Sequence, residues 1–485
     1  MKRLLLIAPT APRSLMGRNF LYRLPPVGLM KVAALTPAGW QTRIADEKGE
    51  KLDLDQQADL VGITAMTPTA KRAYEIADHF RRRGIKVAMG GMHVSNLPEE
   101  ALRHCDSVVM GEAEGLWPRL LADADGGSLQ RIYSHNGEYP ELTNMPRSDW
   151  ETMRPRNYLS LHFVETTRGC PHGCEFCSVT KAFGGRFRNR PMDEVVAELR
   201  TLPSFEGLLT LKRCVFFVDD NIVSNRAYAK EFFSAVGGMN LNWFGQASVN
   251  IVRDPEILRL AQKSGCRALF IGFETLNDES LAGIGKKFNQ PKDYMDVVKK
   301  IHDHGIGIDG SFVFGFDEDT EAAFDRTLEF VMRAKMEIAY FSILTPYPGT
   351  RLHTRLTAEK RLLTEDWDYY DANHVVFRPK LLSPEKLLEG YHYVMKEFYS
   401  VSSIFWRLWG TTAWKNLFYP MNFGFRQSLR GLLKSSGDLE MLSQWLASSP
   451  DSTNPDEQAG QRGSRPGSED KGILQKNAGN GGQMA

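Results

Sequence analysis

The chain has 485 residues, with 60 Lys and Arg against 59 Asp and Glu, for a formal net charge of +1. A chain this close to neutral has no overall field that attracts nucleic acid, so we expect no nucleic-acid partner. Its length allows two or three domains, and a 42% apolar, 25% charged composition is ordinary for globular proteins. Pro9 ends the first apolar run too early for a signal peptide or membrane span, and the six cysteines are sparse. We therefore expect a cytoplasmic protein.

Residues 1–135 alternate short apolar runs with amphipathic segments, which predicts a doubly wound parallel sheet. The predicted strands are 3–8, 42–45, 60–65, 86–89 and 107–110, and the predicted helices are 27–35, 70–83 and 99–105. Ligands of such sheets bind beyond the carboxyl ends of the strands. Gly90, Gly91 and Gly111 follow two of these strands, and they would let the backbone approach a large ligand closely.

Residues 136–160 lose this rhythm and are predicted to form a linker, since Gly, Asn and Pro recur there. Residues 161–355 resume the alternation. The predicted strands are 161–167, 214–219, 242–247, 268–274, 310–316 and 338–345, with helices over 193–199, 228–236, 255–263, 291–302 and 321–334. Six strand–helix units fall short of a closed eight-unit barrel, so they predict a partial, open (β/α)6 barrel.

Residues 356–447 are predicted to be a helical region, and residues 448–485 a disordered tail because they are polar and contain few large apolar residues. Within 402–433, aromatic side chains are interleaved with basic ones. Such a helix could lie on a membrane surface as a peripheral contact. It could also pack across the barrel mouth, and we favour packing because buried aromatics dominate protein cores.

Cys170, Cys174 and Cys177 form a C-x3-C-x2-C motif directly after the first predicted barrel strand. Three thiolates so close together can hold one iron–sulfur cluster, and a four-iron cluster would keep one iron open for chemistry. Structural zinc needs four ligands, with His172 the nearest candidate for the fourth, and is less favoured. Cys105, Cys214 and Cys266 lie singly in apolar segments, so we expect buried side chains there rather than disulfides or ligands.

This motif and its place after a first barrel strand resemble the radical S-adenosylmethionine (SAM) family, in particular its branch with an N-terminal cobalamin-binding domain. The resemblance covers roughly residues 1–400 and implies a [4Fe-4S] cluster, SAM and cobalamin as cofactors. In that family SAM chelates the open iron, and one electron cleaves its sulfonium to give a 5′-deoxyadenosyl radical. The histidine signature of cobalamin mutases is absent here, so the resemblance implies cobalamin binding without a histidine ligand, and His93 is not predicted as one.

The resemblance also implies roles for single positions. Phe176, Asp219, Asp220, Gln246 and Glu274 match positions that contact SAM in the family, and the last four lie at the ends of three predicted strands. For Asp219 and Asp220, a helix cap is the alternative; for Asp317 and Asp319, capping of the next helix is the favoured interpretation. The resemblance implies that the positions that bind cobalamin are Gly90, Gly91, Gly111 and Glu112.

The function implied is transfer of a methyl group to a small-molecule or lipid-like substrate, with flavodoxin or ferredoxin as electron donor. The cofactors supply the hard chemistry, so no catalytic side chain is predicted. Three alternatives stay open. A radical SAM cyclase or oxidoreductase shares the same parts. A methylthiotransferase would need a second cluster, whereas only Cys105 precedes the barrel. A redox sensor or binding protein would hold the cluster without turnover.

Overall fold

The computed structural model describes residues 1–11, 23–148, 152–153, 158–159, 161–202, 214–411, 413–432 and 437–448. The predicted disordered tail therefore lies almost entirely outside the described residues.

The N-terminal unit contains strands β1 (Lys2–Ala8), β2 (Trp40–Asp46), β3 (Leu60–Thr64), β4 (Lys86–Gly90), β5 (Ser107–Met110) and β6 (Ile132–Ser134). Its helices are α1 (Val27–Ala34), α2 (Ala70–Arg82), α3 (Met92–Asn96), α4 (Pro98–Ala101) and α5 (Leu116–Asp125).

These strands form one parallel sheet in the order β2-β1-β3-β4-β5-β6. Alternate residues of β1 enter two separate cores. Leu5 and Ile7 pack on the α2 side, while Leu4 and Leu6 pack on the α1 and α5 side. A sheet covered by helices on both faces confirms the predicted doubly wound fold. Strand β6 was not predicted, because its three residues carry too short an apolar pattern.

The second unit contains β7 (His162–Val164), β8 (Thr167–Arg168), β9 (Arg188–Asn189), β10 (Cys214–Phe217), β11 (Asn242–Ala247), β12 (Cys266–Glu274), β13 (Gly307–Phe314) and β14 (Ile338–Ile343). Six of them form a parallel sheet in the order β14-β13-β12-β11-β10-β7, with β7 and β14 as its edges. This sheet confirms the predicted open six-stranded barrel. The intervening helices are α6 (Ser178–Phe183), α7 (Met192–Arg200), α8 (Arg226–Val236), α9 (Pro255–Lys263), α10 (Asp278–Gly283), α11 (Tyr294–Asp303) and α12 (Ala322–Arg333).

Strand alternation separates an outer from an inner face of the barrel. Outer residues pack on helices: Trp243 stacks on Phe233 of α8 at 5.3 Å. The opposite positions keep partial exposure and line the interior. This inner set consists of Phe216, Phe244, Gln246, Phe270, Gly272, Asp309, Ser311 and Tyr340. The interior is therefore largely aromatic, with a few polar groups.

The C-terminal helices are α13 (Arg351–Ala358), α14 (Pro384–Phe398), α15 (Val401–Leu408), α16 (Lys415–Leu432) and α17 (Gly437–Ser448). Trp414, just before α16, lies 6.3 Å from Phe244 and 5.3 Å from the guanidinium of Arg267. Phe418 packs on Gly307, the first residue of β13. These contacts lie at the amino ends of the strands. The favoured interpretation, that this region packs against the barrel, is confirmed for these residues, but the predicted end is wrong: the region closes the barrel floor, not the mouth.

Asp309 is the most unusual residue of the barrel interior. Its Oδ1 atom is out of contact with solvent and has no hydrogen-bond partner. Its register neighbour on β12 is Phe270. Burial raises the pKa of this carboxyl from 3.8 to about 7. The carboxyl is therefore about half protonated at neutral pH and mostly protonated below it.

We expect Asp309→Asn to stabilise the protein more at pH 8 than at pH 5. A native pKa near 7 against 3.8 in the unfolded chain means that native stability falls as pH rises between these values. The amide of the variant does not titrate. The free energy of unfolding of the variant, relative to that of the parent, therefore rises by roughly 2 kcal/mol as the pH increases across this window. The measurement is chemical unfolding at both pH values. Asp296→Asn, on the solvent side of α11, is the control. An equal effect of Asp309→Asn at both pH values would contradict the raised pKa.

Candidate functional site

The cysteine motif lies on the loop between β8 and α6, and its three thiols are free and partly exposed. The Cys177 N–H donates to the Cys174 carbonyl oxygen at 3.2 Å, which tightens the turn. Where the loop leaves β8, Gly169 has φ +88°, and a Cβ there would lie 2.0 Å from a backbone oxygen of Arg186. Only glycine fits this position. The loop is thus held in one path before the first cysteine.

The outer side of the loop is tied to the far barrel elements. The Glu175 N–H donates to the carbonyl oxygen of Ile284 at 3.0 Å, and the Glu175 carboxylate pairs with Arg355 at 2.7 Å. Arg351 donates to the carbonyl oxygen of Gly173. Backbone and side chain together hold the loop across the barrel mouth. Arg351 and Arg355 were not singled out in the sequence, since arginines on an amphipathic helix look like solvent-facing residues.

Burial raises the pKa of all three thiols, that of Cys174 to about 11, although the Lys286 ammonium opposes the rise at Cys174. Metal ligation would therefore have to displace their protons. Among the described residues, no three His, Cys, Asp or Glu side chains converge on a single ion. A four-iron cube does not require such convergence, because each thiolate binds a different corner. A set of three thiols and nothing else fits a cluster better than zinc.

Asp219 and Asp220 end the segment after β10 and have different surroundings. Asp219 is fully buried and accepts hydrogen bonds from the backbone N–H groups of Thr166 and Thr167, both at 2.7 Å, and from the Thr166 hydroxyl. Asp220 accepts from the Gly169 N–H at 2.8 Å. Both carboxylates thus hold the segment that leads into the cysteine loop. Neither is a helix cap: Asn225 caps α8.

Glu274 and Lys286 form a buried ion pair close to the cysteine loop. Glu274 ends β12 at a register irregularity, with φ +68°, a conformation that costs energy for a residue with a Cβ. The Lys286 ammonium also donates to the Gly272 carbonyl oxygen at 3.1 Å. Burial opposes its charge, but Glu274 and the nearby thiols of Cys174 and Cys177 raise its pKa overall. Lys286 was missed in the sequence; its place between the apolar run 281–284 and Phe288 was the available signal.

Phe176 and Gln246 lie on opposite sides of the mouth. The Phe176 ring is 6.3 Å from Phe316 and lines a cavity of about 290 Å³ with Ile284, Leu344 and Arg355. Gln246 is on the inner face of β11. The structure therefore brings Phe176 to a cleft whose walls are partly apolar and partly charged, and Gln246 to the barrel interior.

A second cavity, of about 380 Å³, lies where the N-terminal sheet meets the barrel. Gly90, Gly91, Gly111 and Glu112 all line it. A Cβ on Gly91, whose φ is +98°, would come within 2.7 Å of the Ala65 carbonyl oxygen. The glycines thus leave room at the carboxyl edge of the sheet for a ligand that approaches the backbone. These open edges and apolar walls fit part of a large cofactor such as cobalamin.

A buried charge cluster joins this cavity to the barrel. Arg168 pairs with Glu112, with Glu114 at 3.0 Å and with Glu165 at 2.7 Å, while Arg188 pairs with Glu112 at 2.5 Å. Burial would raise the pKa of Glu165, but the charge and hydrogen bonds of Arg168 hold it below its usual value. Glu112 and Glu114 come from the N-terminal sheet and the other three from the barrel unit. We call these five residues the domain-joint cluster.

Other predicted positions have structural roles. His93 is buried between Glu100 at 3.2 Å and Trp367, in agreement with its exclusion as a ligand. Capping by Asp317 and Asp319 was wrong. Asp317 pairs with Arg355 and Arg361, and Asp319 accepts from backbone N–H groups in its own turn, because both face the loop rather than α12. As predicted, Cys105, Cys214 and Cys266 are buried.

Three family models match the chain. Residues 164–331 match the radical SAM superfamily, residues 13–121 the B12 binding domain, and residues 350–430 a domain of unknown function, DUF4070. Bacteriochlorophyllide d C-12(1)-methyltransferase of Chlorobaculum tepidum is 35% identical over 416 residues, which cover 84% of this chain and 90% of that protein. The hopanoid C-2 methylase of Rhodopseudomonas palustris is 25% identical over 400 residues, covering 78% and 75%.

Among solved structures, the radical SAM methyltransferase TsrM of Kitasatospora setae, with tryptophan and a SAM analogue bound, is similar in fold. The TM-score is 0.67 at 16% identity, and the alignment covers 91% of this chain and 100% of that chain. The cobalamin-dependent radical enzyme OxsB, with aqua-cobalamin and SAM bound, gives a TM-score of 0.61 at 14% identity, over 92% of this chain and 75% of that one. Both likenesses concern the arrangement of the sheet and barrel units.

Cys174→Ala should abolish cluster binding, because two thiolates cannot hold a four-iron cube securely. The measurements are iron and sulfide content after anaerobic reconstitution and the yield of 5′-deoxyadenosine. Cys266→Ala, which removes a buried thiol from β12, is the control and should keep its iron. Full iron content in the Cys174 variant would contradict the assignment.

Arg168→Met should destabilise the protein by about 3–5 kcal/mol, because it leaves three buried carboxylates short of a cation. The readout is denaturant unfolding. Arg333→Met is the matched control: it breaks an exposed pair with Glu329 on α12 and should cost less than about 0.5 kcal/mol. Equal effects of the two substitutions would mean that the domain-joint cluster contributes no more than a surface pair.

Proposed function

The chain belongs to the radical SAM family, in the branch with a B12-binding domain, and from this premise we propose that it methylates an apolar small-molecule or lipid-like substrate held in the barrel. The enzyme uses a [4Fe-4S] cluster, SAM and cobalamin. When bound, these cofactors supply a 5′-deoxyadenosyl radical and a methyl group. The observation that carries the proposal is a cysteine loop and a glycine-edged cavity joined by one charge cluster.

In this proposal Cys170, Cys174 and Cys177 hold the cluster, and the Glu274–Lys286 pair lies beside it. SAM carries an ammonium and a carboxylate, so a buried anion and cation next to each other match its two charged groups. Glu274 would accept from the ammonium, while Lys286 would donate to the carboxylate. Because the Glu274–Lys286 pair is already in place and buried, no solvent has to reorganise around these charges when SAM binds.

The remaining SAM positions have supporting roles. Phe176 offers an apolar face for the adenine ring, and Gln246 a neutral hydrogen-bonding group from the opposite wall. Asp220 acts through the Gly169 backbone, and Asp219 through Thr166 and Thr167, so both are positioning residues for the cysteine loop. Neither needs to touch SAM for its removal to disturb the cluster.

Cobalamin would occupy the cavity edged by Gly90, Gly91 and Gly111, with Glu112 fixed by Arg168 and Arg188. His93 is held away from this cavity by Glu100, which supports binding without a histidine ligand. The substrate would lie in the barrel interior, where Phe216, Phe244, Phe270 and Tyr340 offer an apolar lining. Relatives named for bacteriochlorophyllide and hopanoid substrates support this class.

A cytoplasmic location and a flavodoxin or ferredoxin as electron donor complete the proposal, since the cluster must be reduced before each turnover. Within the part of the chain that the structure describes, no helix has the length and apolarity to cross a membrane.

The test is anaerobic reconstitution with iron, sulfide and cobalamin, followed by reduction and incubation with SAM labelled with deuterium in its methyl group. We expect bound corrinoid, 5′-deoxyadenosine, and labelled methyl in products from an apolar extract. Lys286→Met should retain iron and corrinoid but lose at least about tenfold in 5′-deoxyadenosine yield, because a charge-assisted hydrogen bond contributes about 1.5–3 kcal/mol. Lys287→Met, the adjacent lysine, is the control.

Two results would separate the parts of this proposal. Intact cluster without 5′-deoxyadenosine would argue against a radical enzyme and for a cluster-holding sensor. 5′-Deoxyadenosine without bound corrinoid or methyl transfer would argue for a cyclase or oxidoreductase instead.

A further inference from the structure

Helix α15, the residue that follows it and the middle of α16 carry an exposed aromatic surface. Trp409 is 75% exposed, Trp406 58% and Phe405 50%, and Val401 and Phe423 are exposed as well. We call these five residues the aromatic patch. Phe405 lies 6.2 Å from Phe423 and so connects the two helices. Contiguous exposed aromatics of this kind mark an interaction surface.

The patch is held outward by the other face of α15. Arg407 is fully buried and donates to the carbonyl oxygens of Met336 at 2.6 Å and Glu337 at 3.0 Å. It also donates to the Asn422 side chain at 2.9 Å, which ties α15 to α16. Because this anchor fixes the rotation of α15, Trp406 and Phe405 are exposed by the packing of the helix and not by fraying of its end.

The two helices that carry the patch contain no acidic residue. Their basic residues are Lys415, Arg426 and Arg430, besides the buried anchor Arg407. Lys415 and Arg430 are exposed. Lys335 places its ammonium 4.8 Å from the Trp406 ring centre, which adds a cation to the patch itself. Exposed tryptophans bordered by cations match the interface of an anionic bilayer, where indole rings sit at headgroup depth and cations attract the lipid phosphates.

We propose that the aromatic patch docks this enzyme on the surface of an anionic phospholipid bilayer. A second copy of the chain is a poorer occupant, because it would bring the same excess of cations against the patch. The helices lie on the membrane and do not cross it, in keeping with their length and polarity. The inference is independent of methyl transfer, since the patch lies on the C-terminal helices and contains none of the proposed cofactor residues.

The test is flotation of the reconstituted full-length enzyme with vesicles of phosphatidylcholine alone or of phosphatidylcholine and phosphatidylglycerol at three to one. We expect binding to the anionic vesicles, weakened by high salt, and little binding to the neutral ones. Lys415→Gln with Arg430→Gln should weaken binding about twenty-five-fold, at about fivefold for each charge. Trp406→Ser with Trp409→Ser should weaken it at least as much.

The matched control is Met295→Ser with Leu381→Ser, which removes two exposed apolar side chains elsewhere and should leave binding unchanged. Iron content and thermal midpoint verify that each variant is folded. Absence of anionic-vesicle binding by the parent enzyme would overturn the proposal, and so would equal binding by the tryptophan variant. Concentration-dependent dimerisation that the tryptophan substitutions abolish would overturn it in favour of a second copy.

Discussion

The rest of this structure depends on the domain-joint cluster, in which Arg168 and Arg188 hold carboxylates from two separate sheets out of water. Buried charges are stable only when paired, so the cluster permits few relative positions of the sheets. Both sheets are parallel, and both contribute residues from the carboxyl ends of their strands. The pairing thus turns the two ligand-binding edges toward each other. The hydrophobic cores could not specify this orientation, because they lie on the faces of each sheet and not at its carboxyl edge.

The same cluster also fixes the cysteine loop. Arg168 is the last residue of β8, so the loop leaves directly from the joint. Asp219 and Asp220 hold the residues on either side of Arg168, and Glu175 with Arg355 hold the far end of the loop. Because both ends of the loop are fixed in this way, the three cysteine side chains keep a constant arrangement even while their thiols are protonated. The N-terminal cavity and the cysteine loop are therefore parts of one rigid framework. A substitution in the domain-joint cluster should disturb both of them.

Most of the helices and strands and the cysteine motif could be predicted from the sequence, and the functional residues that were missed share a common cause. Strand and helix patterns are local, so β11 and α9 were predicted to the residue and most other elements within a few. The cysteine motif is also local. Lys286, Arg168 and Arg188 were missed because, apart from the local Arg168–Glu165 pair, their partners lie between 12 and 76 residues away. Asp219 was identified as a ligand contact from its position, yet its contacts with Thr166 and Thr167 are structural, and no pattern in the sequence reveals which way a strand-end carboxylate turns.

Two buried acids show how the barrel divides its interior. Glu274, at the carboxyl end of β12, faces Lys286 and thereby makes the mouth a place where charged groups are tolerated. Asp309, deeper on β13 beside Phe270, has no such partner and is favoured in its neutral form. A zwitterionic cofactor is thus stabilised at the mouth, whereas an anionic group moved to the depth of Asp309 would meet a carboxyl and aromatic rings without a compensating cation. The floor beneath is closed by Trp414 and Phe418, and the Arg267 guanidinium lies over the Trp414 ring. Polarity therefore falls from the mouth to the depth of Asp309, and this gradient favours a substrate whose apolar part enters first.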